Sequence, residues 1–512
     1  MIRKVKSFGV NGIEGFLVDV EVDVSRGLPK SNIVGLPDAS VKESRDRVET
    51  AIRNSGFKFP NSKIVVNLAP ASMRKEGALY DLPIAVGILL ASEDIYKVDA
   101  CSDFAFVGEL SLDGELKGVE GILPILIEAE RLCIKKIIIP KTNAQEAAFV
   151  HGIDVYTADN LRAVVDVLNG DKIEGLSLVE KKNFEDEKKR AKHVLDLKFV
   201  KGQFVAKRAL EIAAAGGHNV LLIGPPGSGK TMLAKCFPTI LPDITFAESL
   251  EVSKIHSVAG KLEAGGIITT RPFRTPHHTA SIVALAGGGS RTRPGEISLA
   301  NHGVLFLDEM PEFSRASLEM LRQPLEDNRI TIARAHATVD YPASFTLIAS
   351  MNPCPCGNYG SRTGKCTCSP TVISKYLAKL SGPLMDRIDL HIEVDSVTYD
   401  DLSGKGQGEP SLDVKARVDK ARALQITRFG KSGVFSNAKM SEIEIKMHCE
   451  LTEDCEMLLR DAFERLNLSA RAYSRILRVA RTIADLEGSV NVLPDHVVEA
   501  IGYRSLDRKY RV

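Results

Sequence analysis

The stretch Asn219–Leu233, NVLLIGPPGSGKTML, constrains the fold of this chain more than any other. Val220 to Ile223 form a short apolar run of the kind found in buried strands. The run leads directly into Gly224-Pro225-Pro226-Gly227-Ser228-Gly229-Lys230-Thr231 and then into residues that favour a helix. A strand, a glycine loop and a helix start, in that order, form the setting of a phosphate-binding loop. The glycines let successive backbone N–H groups wrap phosphates, and the helix N-terminus adds positive dipole. Lys230 is expected to reach the β- and γ-phosphates, and the Thr231 hydroxyl to ligate Mg²⁺. A chance glycine turn does not reproduce this full pattern in this setting.

A site that hydrolyses a nucleotide also needs a carboxylate for the metal and a group that activates water. Val304-Leu-Phe-Leu-Asp308-Glu309 supplies both at the end of an apolar strand. Asp308 is expected to hold Mg²⁺ and Glu309 to polarise the attacking water. A third strand, Phe345 to Ser350, ends in Met351-Asn352-Pro353. Asn before Pro is a common turn former, but after this strand Asn352 is also placed to sense the γ-phosphate. The cofactors so implied are ATP and Mg²⁺.

At 512 residues, 44% hydrophobic and 26% charged, the chain can bury several cores. Residues 1–172 mix β-branched runs, Lys63 to Leu68 and Lys135 to Ile139, with helical stretches such as Val41 to Asn54, and read as an α+β domain. Residues 173–196 contain the charge run Glu180 to His193, EKKNFEDEKKRAKH, which reads as a solvated linker or, alternatively, an exposed helix. Strands and helices alternate through 197–398, as a parallel α/β sheet requires. Beyond the Gly-rich Asp401 to Pro410, residues 399–512 read as helical. The opening MIRKVKSFGVNG has no export signal, and no apolar run approaches the roughly 20 residues that span a bilayer. A soluble cytoplasmic protein with no membrane partner is expected. Nine cysteines then read as reduced thiols or metal ligands. A net charge of +1 leaves any nucleic-acid contact to local basic clusters.

Two further segments, Gly382-Pro-Leu-Met-Asp386-Arg387-Ile-Asp-Leu and Ser469-Ala-Arg471-Ala-Tyr-Ser-Arg475, join the loop, the acidic pair and Asn352 in a set that resembles the Mg-chelatase-like branch of AAA+ proteins. Arg271-Pro-Phe-Arg-Thr-Pro-His-His278, Gly287-Gly-Gly289 and Pro294-Gly-Glu-Ile-Ser-Leu-Ala-Asn-His-Gly-Val304 are similar to the ComM/YifB family of competence-related ATPases. The resemblance covers essentially the whole chain. It implies an α/β AAA+ P-loop core with a helical lid and self-association into a ring, expected to be hexameric. It also implies movement along single-stranded or branched DNA that drives branch migration in recombination or natural transformation. By the same match, Arg387 is a finger offered to the neighbouring subunit's nucleotide, and Arg471 is a second sensor in the lid. A guanidinium suits both roles, being permanently charged and forked. A structural salt bridge is the alternative for each, and Arg475, Arg478 and Arg481 compete with Arg471.

Arg329 to Ile332 and Ala337 to Val339 alternate like a hairpin with Ala333-Arg334-Ala335-His336 at its tip. In ring helicases of this branch such a hairpin projects into the pore, where Arg334 and His336 would grip phosphates without reading sequence. Arg271, Arg274, His277, His278, Arg291 and Arg293 form a second basic element around glycine-rich backbone, and solvated loops without function are the alternative. Cys354, Cys356, Cys366 and Cys368, in CPCGNYGSRTGKCTC, match a structural Zn²⁺ site in chemistry, with free thiols or a regulatory disulfide as alternatives. His277 and His278, being adjacent, are poor joint ligands. In the N-terminal region, Asp81-Leu-Pro-Ile-Ala-Val-Gly-Ile88, Val119-Glu-Gly-Ile-Leu123-Pro and Ile134 to Pro140 are similar to the proteolytic domain of Lon-type proteases. The serine position falls on Ala85 or Ile84 and the lysine position on Leu123, so a Lon-like fold without peptidase activity is expected. Two alternatives to a DNA motor remain, the ATPase subunit of a metal chelatase and a protein remodeller. The long Lon-like domain counts against the first. The absence of an aromatic in Ser257-Val-Ala-Gly260 counts against the second.

Overall fold

The protein is described by a computed structural model covering residues 2–170, 176–190, 195–262, 266–289, 292–334, 337–360, 365–396, 408–430, 434–466 and 468–506. Its N-terminal part is built on an eight-stranded mixed sheet, in the order Leu176–Leu178, Asp154–Ala158, Lys136–Pro140, Phe104–Phe106, Ile2–Asn11, Glu14–Ser25, Lys63–Ala69, Lys30–Val34. Strict alternation explains the central strand Glu14–Ser25, where Val18, Val20 and Val22 are buried and the acidic residues between them face outward. The helix Asp81–Ala91 is apolar on every side because it lies between that sheet and the helix Ala39–Asn54. Its one charged residue, Asp81, is fully buried and accepts from Arg47 Nε at 2.8 Å.

Part of the stretch expected to be a solvated linker is folded. Leu176–Leu178 pairs antiparallel with Asp154–Ala158, and the helix Phe184–Arg190 buries Phe184, whose ring lies 5.4 Å from that of Phe246. The aromatic in the charge run gives that helix an apolar anchor.

A second sheet has five parallel strands in the order Phe273–Arg274, Val304–Leu307, Thr346–Met351, Val220–Ile223, Leu390–Glu393. All four residues of Val220–Ile223 are buried, as expected for a strand flanked on both sides in a parallel sheet. The segments after Val220–Ile223, Val304–Leu307 and Thr346–Met351 emerge at the same sheet edge, which brings residues 224–231, 308–309 and 352 together. The helix Phe246–Val258 joins the two halves. Val252 packs in the N-terminal core, and Ser257 Oγ donates to half-buried Glu146 at 2.6 Å.

Among the described residues, five helices follow: Ser411–Phe429, Glu442–His448, Glu453–Leu466, Ala470–Glu487 and Pro494–Gly502. No helix among the described residues is long and apolar enough to cross a membrane. The helix Ala470–Glu487 packs on Phe204–Gly216 and is tied to the sheet by an ion pair between Arg475 and Asp389, whose side chain is 5% exposed. Burial alone would raise the Asp389 carboxyl, but Arg475, His218 and the Asn219 N–H hold it far below the usual carboxylate range. Replacing Asp389 by Ala strands the Arg475 charge, so the variant should lose about 3–5 kcal/mol in denaturant unfolding. A loss under about 1 kcal/mol would show that the lid is not held through this pair.

Candidate nucleotide site

Three glycines shape the loop for different reasons. A Cβ on Gly224 would sit 2.2 Å from the Val394 carbonyl oxygen, so only glycine fits. Gly227 and Gly229 have φ of +76° and +89°, and nothing lies within 4 Å of a Cβ built on either. Their requirement is conformational, and the space beside them is open. Gly229 caps the helix Lys230–Cys236. Lys230 Nζ donates to the carbonyls of Gly224 and Pro225 at 2.7 and 2.8 Å and lies 3.3 Å from Asn352 Oδ1. Burial pulls its pKa down to about 8, against the pull of Asp308 and Glu309. An anionic phosphate at the loop would favour its charged form and raise that pKa.

Asp308 is clasped from two sides. Thr231 Oγ1 donates to its Oδ2 at 3.0 Å, and Ser350 Oγ donates to its Oδ1. The Glu309 N–H in turn donates to Ser350 Oγ at 3.2 Å. The residues present fit Mg·ATP: a hydroxyl and a carboxylate oxygen together, an ammonium beside a glycine cradle, and an amide next to that ammonium. Mg²⁺ there would neutralise charge developing on the β- and γ-phosphates. Asp308 and Thr231 would hold the ion and Lys230 would bind phosphate, while Asn352 connects the phosphate end to the strand behind it. Glu309 is exposed and held at φ +52°, a conformation that costs a residue with a side chain about 1–3 kcal/mol. An exposed carboxylate at that turn would be the group to accept a proton from water.

Ser350 and Gln203 were not legible as site residues. Ser350 reads only as the polar end of an apolar strand. Gln203, at φ +57°, donates from its amide to Ser228 O at 3.2 Å and Asp395 O at 2.7 Å, pinning the loop to the last strand of the sheet. The dipeptide Gly202-Gln203 before an apolar helix was the available signal.

The other expected residues lie elsewhere in the chain. Arg387, 4% exposed, donates to Pro383 O at 2.6 Å and pairs with Glu326; Arg471, 59% exposed, lies 3.9 Å from the same carboxylate. The strands Arg329–Arg334 and Ala337–Pro342 pair antiparallel, ending at Arg334↔Ala337. Ile330, Ile332, Val339 and Tyr341 form the buried face of this ribbon. His336, Arg291 and the Arg334 side chain lie outside the described residues. Arg271 binds the carbonyls of Pro242 and His302 and the Glu248 carboxylate, Arg274 is forked onto Glu296, and Arg293 pairs with Glu120. In this conformation these three guanidinium groups hold the insertion to its surroundings. His277 and His278 stack with centroids 4.1 Å apart, and His277 Nδ1 meets Thr279 Oγ1. Ala85, Ile84 and Leu123 are all buried, and none offers a nucleophile.

Competence protein ComM of Haemophilus influenzae is 45% identical over 502 residues, covering 97% of this chain and 96% of its own. This chain belongs to the ComM/YifB family. The Escherichia coli protein YifB matches at 45% over 499 residues, again covering 97% of this chain and 96% of its own. The family model for magnesium chelatase, subunit ChlI, matches residues 196–402, and the model for the C-terminal part of that subunit matches 408–504. Lon protease 2 of Bacillus subtilis is 28% identical over 183 residues, 32% of each chain. The fold is therefore an AAA+ core of the Mg-chelatase-like branch with a helical C-terminal region and a Lon-like N-terminal domain. Residues 20–143 also match a model described as subunit ChlI of Mg-chelatase. The length of the N-terminal domain thus does not separate this family from a chelatase subunit.

Immediately after the Asn352 position of this ComM/YifB chain, Cys354, Cys356, Cys366 and Cys368 place their sulfurs within 4.8 Å of one another. Three of the separations are 3.3, 3.6 and 3.7 Å. Four thiolates about 2.3 Å from a tetrahedral Zn²⁺ stand about 3.8 Å apart, so the donor set fits that ion. Backbone N–H groups of Asn358 and Thr367 lower the Cys356 thiol, whereas burial and the neighbouring sulfurs raise Cys366 and Cys368, so the fit to the ion rests on the sulfur geometry. The cluster touches the phosphate loop. A Cβ on Gly357, at φ +81°, would lie 2.4 Å from Pro226 Cδ.

Lys230→Ala should remove most nucleotide binding, measured with a fluorescent ATP analogue, whereas Glu309→Gln should bind ATP normally and lose at least about 100-fold in turnover. Parental hydrolysis by the Gln variant would reassign the water-activating role. Purified protein should carry about one zinc per chain by elemental analysis. A metal-free and fully active preparation would leave the cysteines as plain thiols.

Proposed function

We propose that this chain is an ATP-driven ring motor that moves along single-stranded or branched DNA and promotes branch migration in recombination or natural transformation. In this reading the chain assembles with copies of itself, as a hexamer, and Arg387 of one subunit stabilises charge on the γ-phosphate held by the next. The observation that carries the reading is the hairpin 329–342 in a chain whose nucleotide residues all converge. Its strands leave the ATPase core directly after the helix Arg322–Asp327, one face is anchored by Ile330, Ile332, Val339 and Tyr341, and its tip bears Arg334 and His336. A paired ribbon anchored in the motor, with Arg334 and His336 at the turn of its sequence, suits a phosphate backbone. The likeness to a competence protein over nearly the whole chain supports a role in natural transformation.

The family models favour a second reading, the ATPase subunit of a metal chelatase. DNA separates the two: a DNA motor hydrolyses ATP faster when forked DNA is added, and a chelatase subunit does not. The remodeller reading finds no support in Ser257–Gly260, since Ser257 bonds Glu146 and Gly260 packs against Glu120 at the domain junction.

The double variant Arg334→Ala, His336→Ala should weaken DNA binding equally for unrelated sequences while unstimulated ATPase survives. Its log–log salt dependence should be shallower by about one unit for each phosphate that the hairpin no longer grips. Arg334, whose guanidinium is charged at every working pH, should account for most of the effect at neutral pH. An unchanged slope with normal branch migration would take the hairpin out of the DNA path.

A further inference from the structure

Arg387 and Arg471 come from different parts of the chain, one just before the last strand of the ATPase sheet and one at the start of a lid helix, yet both turn to Glu326. Arg387 is almost wholly buried, and a buried guanidinium needs a carboxylate. Glu326, about half exposed, meets that need and faces the more exposed Arg471 across 3.9 Å. Its position in the chain adds a third connection. Glu326 lies in the last turn of the helix Arg322–Asp327, followed by Asn328 at φ +54° and then by the first hairpin strand from Arg329. Asn328 closes the hairpin base by accepting the Ala343 N–H at 2.8 Å, and Lys439 of the C-terminal region donates to its side chain. One carboxylate thus stands where the finger segment, the lid helix and the root of the hairpin meet.

We propose that Glu326 is a positioning residue that holds Arg387 back within its own subunit and couples its release to the hairpin; this rests on the reading of Arg387 as the group offered to a neighbour's nucleotide. A guanidinium pairs strongly with one anion at a time in a forked geometry. When Arg387 turns to the γ-phosphate of the next subunit it leaves Glu326, and Arg471 is the cation at hand to take its place. That exchange shifts the end of the helix Arg322–Asp327, and the left-handed Asn328 passes the shift to the hairpin. DNA pulling on the hairpin works in the opposite direction and frees Arg387, which links substrate binding to hydrolysis.

The test is steady-state ATP hydrolysis by full-length Glu326→Gln protein, with and without forked DNA, across a range of ATP concentrations. Gln keeps the shape and a hydrogen-bond acceptor but removes the charge. Unstimulated kcat should rise about fivefold, as for release of a half-exposed ion pair, with KM nearly unchanged, and the stimulation by DNA should shrink toward none. An unchanged kcat and stimulation, or a lowered kcat, overturns the proposal. Should the Gln variant not fold, Glu326→Asp, whose carboxylate is set back by a methylene group, gives the same comparison at smaller amplitude. Arg387→Ala alone separates this proposal from the reading beneath it. If that variant still hydrolyses ATP at the parental rate, the trans role of Arg387 fails. If it is inactive while Glu326→Gln is indistinguishable from the parent, only the holding role fails.

Discussion

Parallel pairing of Val220–Ile223 with Thr346–Met351 on one side and Leu390–Glu393 on the other is the constraint on which the rest of the molecule depends. The strand has no solvent-facing side, so its register is fixed by burial as well as by hydrogen bonds. Asn219, just before it, reinforces that register: its side chain donates to Arg387 O and accepts from the Leu347 N–H, and its backbone N–H donates to Asp389. From this anchor the loop 224–231 leaves in one direction only, toward Asp308 and Asn352. The clasp of Asp308 by Thr231 and Ser350 is a consequence, since it spans strand ends that the sheet has already aligned.

Charge is organised around the same sheet edge in a manner that burial explains. Asp389 is compensated by Arg475 and Arg387 by Glu326, so the segment 387–389 is tied to the lid on one side and to the hairpin helix on the other. Each pair compensates a buried charge, Asp389 in one and Arg387 in the other, that would be costly to leave alone. Lys230 differs: burial depresses its pKa, and its direct hydrogen-bond partners in the chain are mostly neutral carbonyls. A buried cation with no carboxylate in direct contact is matched to an anionic ligand, and the space beside Gly227 and Gly229 is open to one.

The N-terminal domain keeps a Lon-like architecture with apolar side chains at the expected catalytic positions, and its contribution is made through packing. Ile13 of its first hairpin joins the core that contains Ile332 and Val339, and Glu146 bonds Ser257. The hairpin 329–342 is therefore bordered by both halves of the protein. Gly357 against Pro226 likewise places the cysteine cluster against the phosphate loop, so its chemistry and that of the nucleotide share one wall.

Local chemistry in the sequence determined the α/β core, the meeting of Lys230, Thr231, Asp308, Glu309 and Asn352, and the four-cysteine cluster, because each depends on residues close in sequence or on strand ends that a parallel sheet must align. The paired strands 329–334 and 337–342 were legible for the same reason, since alternation reports a ribbon with one buried face. Tertiary structure decided what long-range pairing controls. The charge run 180–193 reads as solvent-loving, yet Phe184 finds Phe246 and part of the run folds. Arg271 and Arg274 read as free basic residues until Glu248 and Glu296 appear beside them. Ser350 and Gln203 gain meaning only through Asp308, Ser228 and Asp395, and Glu326 only through two arginines from distant segments. A charge in a sequence carries no record of its partner, and whether it grips a ligand or a neighbouring side chain is settled by the fold that brings the two within reach.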